Sequence, residues 1–96
     1  HLGPLDAGET EAYIVHRLQT AGWRGDPSFS QTAFAAVHAH SGGIPRKINL
    51  LCDRVLLLGR LDKKHEFIGE EVDQVFEELQ QDFAPPALQA SQAEGA

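Results

Sequence analysis

Hydrophobic side chains recur at intervals of three and four residues along four stretches of the chain, the spacing of helices with one apolar face. The pattern predicts helices over residues 7–21, 31–40, 45–59 and 70–82. Their apolar stripes are Ile14, Val15 and Leu18; Phe34, Val37 and His38; Ile48, Leu51, Cys52 and Val55; and Val72, Val75, Phe76, Leu79 and Phe83. No strong pair of strands accompanies them, although residues 65–68 read as briefly extended. The predicted fold class is therefore all-α, a compact four-helix bundle.

The ends of these helices carry recognisable signals. Asp6 with Glu9 three residues later forms a capping-box pattern, and Ser30 is a typical cap for the second helix. Pro45 suits the first turn of the third helix, where a missing N–H costs nothing. The third helix is apolar around most of its circumference, because four further leucines lie outside its stripe: Leu50, Leu56, Leu57 and Leu58. Such a helix is predicted to be the central, buried one.

Length and composition narrow the class of protein. The 96 residues suit one domain, and no apolar run exceeds five residues, so no membrane span is predicted. The net charge of −6 disfavours binding to nucleic acid, whose phosphates attract Lys and Arg. The chain lacks methionine, so we expect it to be a processed product or an excised fragment of a longer protein. Residues 84–96 are rich in Ala, Gln and Pro and predict a disordered tail or linker.

Residues 41–47, SGGIPRK, are the most informative stretch for chemistry. Two glycines precede a predicted helix whose first turn carries Arg46 and Lys47. Cations oppose the dipole at this end of a helix, whereas a bound anion would be stabilised by the free N–H groups and by the Arg side chain. The alternative is that both cations simply point into solvent.

Residues 41–47, together with positions on both sides of them, resemble a known module. The matching residues are Gly3, Pro4, Leu5, Glu9, Thr10, Tyr13, Ile14, His16, Arg17, Leu18, Ala21, Gly22, Phe29, Ala33, residues 41–49, Leu51, Cys52, Asp53, Ile68, Val72 and Val75. In this order they resemble the C-terminal helical lid of AAA+ ATPases, specifically the general secretion pathway protein A-like group of secretion, pilus and exopolysaccharide-associated ATPases. The resemblance covers roughly residues 2–83, which puts the lid at residues 1–83 and the tail at 84–96.

The resemblance implies a role for Arg46 in catalysis. In the family, the arginine of the GxPR motif is the sensor-2 residue that reaches the γ-phosphate of ATP and couples hydrolysis to movement of the lid. The implied contacts with the nucleotide are Pro4, Leu5, Tyr13, Ile14, Ile44, Pro45 and Arg46. Ile14 also fits the ordinary core stripe of the first helix, so a purely structural role stays open for it.

Binding of ATP and Mg²⁺ requires sequence motifs that this chain lacks. It contains no Gly-x-x-x-x-Gly-Lys-Ser/Thr loop and no strand that ends in paired acids. We therefore expect a preceding nucleotide-binding α/β subdomain to hold both, and the isolated chain not to hydrolyse ATP. The implied partners are neighbouring subunits of a homo-oligomeric ring and secretion or envelope machinery. The implied location is the cytoplasm, at the inner face of the inner membrane through other parts of the parent protein.

Two other classes of function stay open. One is a non-enzymatic interaction module that uses a surface of the first and fourth helices. The other is a nucleic-acid-binding domain, with Gly42 and Gly43 as the turn of a helix-turn-helix, although the third helix is too apolar to read bases.

The remaining candidates have ordinary explanations. His38 and His40 are two residues apart, so a helix points them to different sides, and no metal site with Cys52 is expected. Cys52 is predicted to be a buried, inert thiol. The carboxylate pairs Glu70–Glu71 and Glu77–Glu78 suit dipole compensation and a solvated face. The basic residues Arg60, Lys63 and Lys64 suit a surface loop, with a contact to a neighbouring subunit or DNA as the alternative.

Overall fold

A computed structural model of the chain describes residues 3–83, so the tail predicted over residues 84–96 lies outside the described residues. The elements are α1 (Ala7–Thr20), β1 (Ser28–Phe29), α2 (Gln31–Ser41), α3 (Pro45–Leu61), β2 (Glu66–Phe67) and α4 (Gly69–Phe83). All four predicted helices are confirmed, with ends within two residues of the prediction. Among the described residues, no helix is both long enough and apolar enough to cross a bilayer.

The all-α prediction is wrong in one respect, because β1 and β2 pair in parallel. Ser28 lies opposite Glu66 and Phe29 opposite Phe67. The two phenylalanine rings are buried with their centroids 5.2 Å apart, and this non-local contact brings the strands together. The brief extended segment predicted over residues 65–68 is confirmed by β2. Neither β1 nor the pairing was predicted, because two-residue strands are too short to show a period of two. The fold is mostly helical, with a small parallel pair joining the segments before α2 and α4.

The prediction that α3 is a central helix buried by its neighbours is only partly right, because one of its faces is exposed. Helices α2 and α3 each contact all three other helices, and the contacts of α2 are the more extensive. Leu50 and Leu57 on α3 are 43% and 48% exposed, whereas Ile48, Leu51 and Val55 are buried. Hydrophobicity around the whole circumference of α3 therefore reflects a buried face plus an exposed apolar one, not burial on every side.

The caps of α1 and α2 confirm the predictions from local sequence. The Asp6 carboxylate accepts from the Glu9 N–H at 2.8 Å, and the Asp6 N–H donates to the Glu9 carboxylate at 2.9 Å. Ser30 Oγ accepts from the Ala33 N–H at 3.1 Å. By contrast, Ile44 at the start of α3 supplies no side-chain cap. The first turn of α3 therefore has backbone donors that no capping side chain satisfies.

The Cys52 thiol is buried, as predicted, and its burial raises its pKa to about 12, with the positive charge of Arg17 opposing the shift. Because the thiolate is the nucleophile, the native thiol is expected to react with iodoacetamide at pH 8 at least a hundredfold more slowly than in the unfolded chain. Mass spectrometry of timed reactions, with and without guanidinium chloride, measures this ratio. Equal rates would show that Cys52 is accessible in the native chain.

Candidate functional site

The segment before α1 meets the start of α3 at Gly43. The Leu5 N–H donates to the Gly43 carbonyl oxygen at 2.8 Å. Gly42 and Gly43 have φ angles of 65° and 75°, which glycine adopts without strain. A Cβ atom on Gly43 would lie 2.1 Å from the Leu5 carbonyl oxygen, so the two backbones approach too closely for any side chain. The structure thus brings Leu5 and its neighbour Pro4 beside the residues that open α3.

His38 on α2 strengthens this junction. Its Nε2 lies 3.2 Å from the Leu5 carbonyl oxygen, so the imidazole N–H donates to that oxygen. Ser41 adds a second local link, since its Oγ accepts from the Gly43 N–H at 3.2 Å. Sequence reasoning placed His38 on the inner face of α2 but did not identify its contact with Leu5. The sequence signalled this contact only by the presence of a polar residue, His38, within the apolar stripe of α2.

Arg46 lies exposed in the first turn of α3. Within residues 3–83, no hydrogen bond or ion pair engages its guanidinium group. Ile44 is 38% exposed, and Pro45 and Lys47 are exposed beside it. No acidic residue lies in this first turn. The start of α3 therefore combines uncapped N–H groups, a positive dipole end and two cations, an arrangement suited to an anion.

Tyr13 on α1 contacts α3 at Asn49, close to the start of that helix. Its hydroxyl donates to Asn49 Oδ1 at 2.9 Å, and Arg17 Nη1 donates to the same oxygen at 2.8 Å. Arg17 also lies 3.3 Å from the Asp53 carboxylate. Asn49 follows Arg46 by one helical turn, so this polar cluster anchors α1 to the part of α3 that begins at Arg46. Asn49 was not singled out as a site residue from the sequence.

A small cleft of about 100 Å³ separates α1 from α3, and Tyr13, Ile14, Asn49 and Cys52 are among the residues that line it. Ile14 is only 2% exposed and belongs to the hydrophobic core. Tyr13, by contrast, is only half-buried at this cleft. The packing role is sufficient to account for Ile14.

The two histidines that were weighed as metal ligands serve different contacts. His40 Nε2 lies 2.7 Å from Asp73 Oδ1, and its ring stacks on Phe76 with centroids 4.0 Å apart, which joins α2 to α4. His38 contacts Leu5 on another side of α2. Among residues 3–83, no group of three or more His, Cys, Asp or Glu side chains is arranged to hold a metal ion.

These observations define a mostly helical module with an exposed, anion-suited helix end beside its N-terminal segment. In sequence, the chain is similar to General secretion pathway protein A of Aeromonas hydrophila, with 40% identity over 72 residues, or 75% of the chain. The chain spans 13% of that protein's length. No protein-family model matches the chain, and no solved structure gives a significant match. The chain is therefore related to a segment of a general secretion pathway protein.

Proposed function

We propose that the chain is the helical lid of a secretion-type AAA+ ATPase, in which Arg46 contacts the γ-phosphate of ATP. The observation that carries the proposal is the exposed Arg46 guanidinium, which has no partner within residues 3–83, at the uncapped start of α3. A guanidinium group stays charged and forms paired hydrogen bonds with phosphate oxygens, so it suits a sensor of the terminal phosphate. Similarity to General secretion pathway protein A supports a role related to secretion.

The junction between Leu5 and Gly43 supports the nucleotide assignment of the neighbouring residues. Pro4 and Leu5 lie next to Ile44 and Pro45, which leaves a partly exposed apolar edge beside Arg46. An adenine ring would pack against such an edge while its phosphates extend toward the cations. In this proposal, Tyr13 borders the adenine site, and Ile14 supports it from the core.

The exposed leucines of α3 fit the same arrangement. Leu50 and Leu57 follow Arg46 by four and eleven residues, a spacing that puts all three on one face of the helix. A preceding nucleotide-binding α/β subdomain would cover these leucines when it presents ATP and Mg²⁺ to Arg46. Loss of the γ-phosphate would release Arg46 and shift the lid as a rigid body within an oligomeric ring. The proposed setting is the cytoplasmic side of a secretion assembly.

The alternative of an interaction module on the first and fourth helices gains no specific support. Among the described residues, the large hydrophobic side chains that are exposed are Ile44, Leu50, Leu57, Leu61 and Ile68. Four of these five lie on α3 or at its start, and the fifth precedes α4. An apolar contact with a partner would therefore be centred on α3, the helix that carries Arg46.

An ATP titration of the chain followed by ¹H–¹⁵N NMR tests where the nucleotide binds. We expect weak binding in the millimolar range, because most phosphate contacts belong to the missing subdomain, with shifts centred on residues 43–47 and Leu5. Arg46→Gln should remove these shifts, whereas the matched exposed-arginine variant Arg60→Gln should keep them. Micromolar affinity for the isolated chain, or shifts centred away from the start of α3, would contradict the split site.

A further inference from the structure

A second surface with distinct chemistry lies at the other end of α3. There an open groove of about 610 Å³ separates the end of α1 from the end of α3. Arg46 and Arg60 are fourteen residues apart on this helix, which corresponds to about 21 Å along its axis. The groove is therefore separate from the proposed nucleotide contact. We call it the Trp23 groove; its lining includes Leu18, Trp23, Leu56, Arg60, Lys63 and Lys64.

The floor of the Trp23 groove is apolar and anchored to the core. Trp23 and Leu56 are partly buried and pack against the core cluster, while Leu18 belongs to that cluster. The indole Nε1–H donates to the Pro27 carbonyl oxygen at 2.7 Å, so the polar atom of the ring is satisfied within the chain. What the groove offers a ligand at Trp23 is therefore aromatic surface, which favours a stacked or apolar side chain.

The rim of the groove is positively charged, although the chain as a whole has a net charge of −6. Two of its basic side chains already have partners: Lys64 forms an ion pair with Glu71, and His65 Nδ1 lies 3.0 Å from a carboxylate oxygen of Asp26. Arg60 and Lys63 are exposed, and their side chains have no ion-pair partner in the described part of the chain. These two cations are available to carboxylates from outside.

Lys63 occupies a backbone position that favours glycine. It follows the C-cap of α3 with a φ of 57°, the only positive φ of a non-glycine residue in the described range. The Lys64 N–H donates to the Gly59 carbonyl oxygen at 2.8 Å and the Lys63 N–H to that of Arg60 at 3.3 Å, which is the Schellman arrangement. A lysine is strained there, and strained positions are concentrated at functional sites. The strained residue at the rim of the Trp23 groove is thus a cation.

We propose that the Trp23 groove binds an acidic segment of a partner protein that carries one aromatic side chain. The aromatic ring packs on Trp23 and Leu56, and flanking carboxylates pair with Arg60 and Lys63. A groove of several hundred cubic ångströms accommodates one such side chain and its neighbours. A nucleic acid is the less favoured occupant, because its long run of phosphates is repelled by the acidic remainder of the chain.

Trp23 is the single tryptophan of the chain and provides the signal for a direct test. The probe is an acetylated peptide with a central phenylalanine flanked by three glutamates on each side. We expect it to change Trp23 fluorescence saturably, and to bind at least about fivefold more tightly than matched peptides with glutamines for glutamates or alanine for phenylalanine. Absence of saturable binding, equal binding of either matched peptide, or tighter binding of an oligothymidylate would overturn the proposal.

Two variants separate binding from folding. Lys63→Gly should raise the melting temperature, because glycine relieves the positive φ, yet weaken peptide binding about fivefold. Arg60→Gln should weaken binding by a similar factor, whereas the matched exposed-arginine control Arg46→Gln should leave it unchanged. Unaltered peptide affinity in both rim variants would overturn the proposal. So would equal weakening in the Arg46→Gln control, since that would indicate a general charge effect.

Discussion

Replacement of Arg46 by alanine in the full-length protein is expected to lower kcat for ATP hydrolysis by about a hundredfold or more. Removal of one donor aimed at developing charge typically costs 10²–10³ in rate. The fold should survive, because Arg46 is exposed and its side chain forms no hydrogen bond or ion pair with the described residues. Steady-state phosphate release at saturating ATP measures the rate, and circular dichroism of the isolated chain checks the fold.

Lys47→Ala is the matched control for this experiment. It removes a neighbouring exposed cation from the same helical turn without touching the proposed sensor. We expect it to lower kcat by no more than about threefold, through the weaker general field at the helix start. Arg46→Lys should recover only part of the activity, since an ammonium group lacks paired donors. Wild-type hydrolysis by Arg46→Ala would rule out the sensor role.

Substitution of Gly43 by alanine is expected to destabilise the chain by about 3 kcal/mol or more. The added Cβ would lie 2.1 Å from the Leu5 carbonyl oxygen, and the φ of 75° adds strain of about 1–2 kcal/mol. Because backbone atoms rather than a flexible side chain are in the way, relief requires moving the segment that contains Leu5. Thermal unfolding followed by circular dichroism should show a fall of about 12 °C or more.

The Gly42→Ala variant separates the steric clash with Leu5 from the strain of a positive φ. Gly42 also has a positive φ, of 65°, but a Cβ atom there would have nothing within 4 Å. The Gly42→Ala variant should therefore be destabilised only by the conformational strain, about 1–2 kcal/mol. The difference between the two variants reports the contact between Leu5 and Gly43 alone. Equal melting temperatures would mean that this contact contributes nothing to stability.

The Gly43 result also bears on the proposed nucleotide site. The contact with Leu5 is what holds the two parts of the proposed adenine edge side by side. At a temperature where Gly43→Ala is still folded, we expect its weak ATP-induced NMR shifts to disappear from Leu5. They should persist at Arg46, which this substitution does not touch. Binding of the phosphates and placement of the base would then be separable.

Local sequence determined the helices and their ends. Asp6, Glu9 and Ser30 act on backbone groups three residues away, and Pro45 suits the first turn without help from elsewhere in the fold. Interactions over such short separations depend on local chain geometry alone, so they can be predicted from the sequence. The burial of Cys52 was predictable for the same reason, because its place in the apolar stripe of α3 follows from helical periodicity.

Tertiary packing decided the remaining features. The pairing of Phe29 with Phe67, the contact of His38 with Leu5 and the bond from Tyr13 to Asn49 each join residues more than thirty positions apart. Hydrophobicity alone predicted burial for Leu50 and Leu57, but only the positions of the other helices determined which face of α3 is covered. Arg46 was identifiable from its motif, whereas the close approach of Leu5 to Gly43 before this helix depends on the tertiary fold. Periodicity and capping are properties of neighbouring residues, and contacts between distant segments arise only when the core packs.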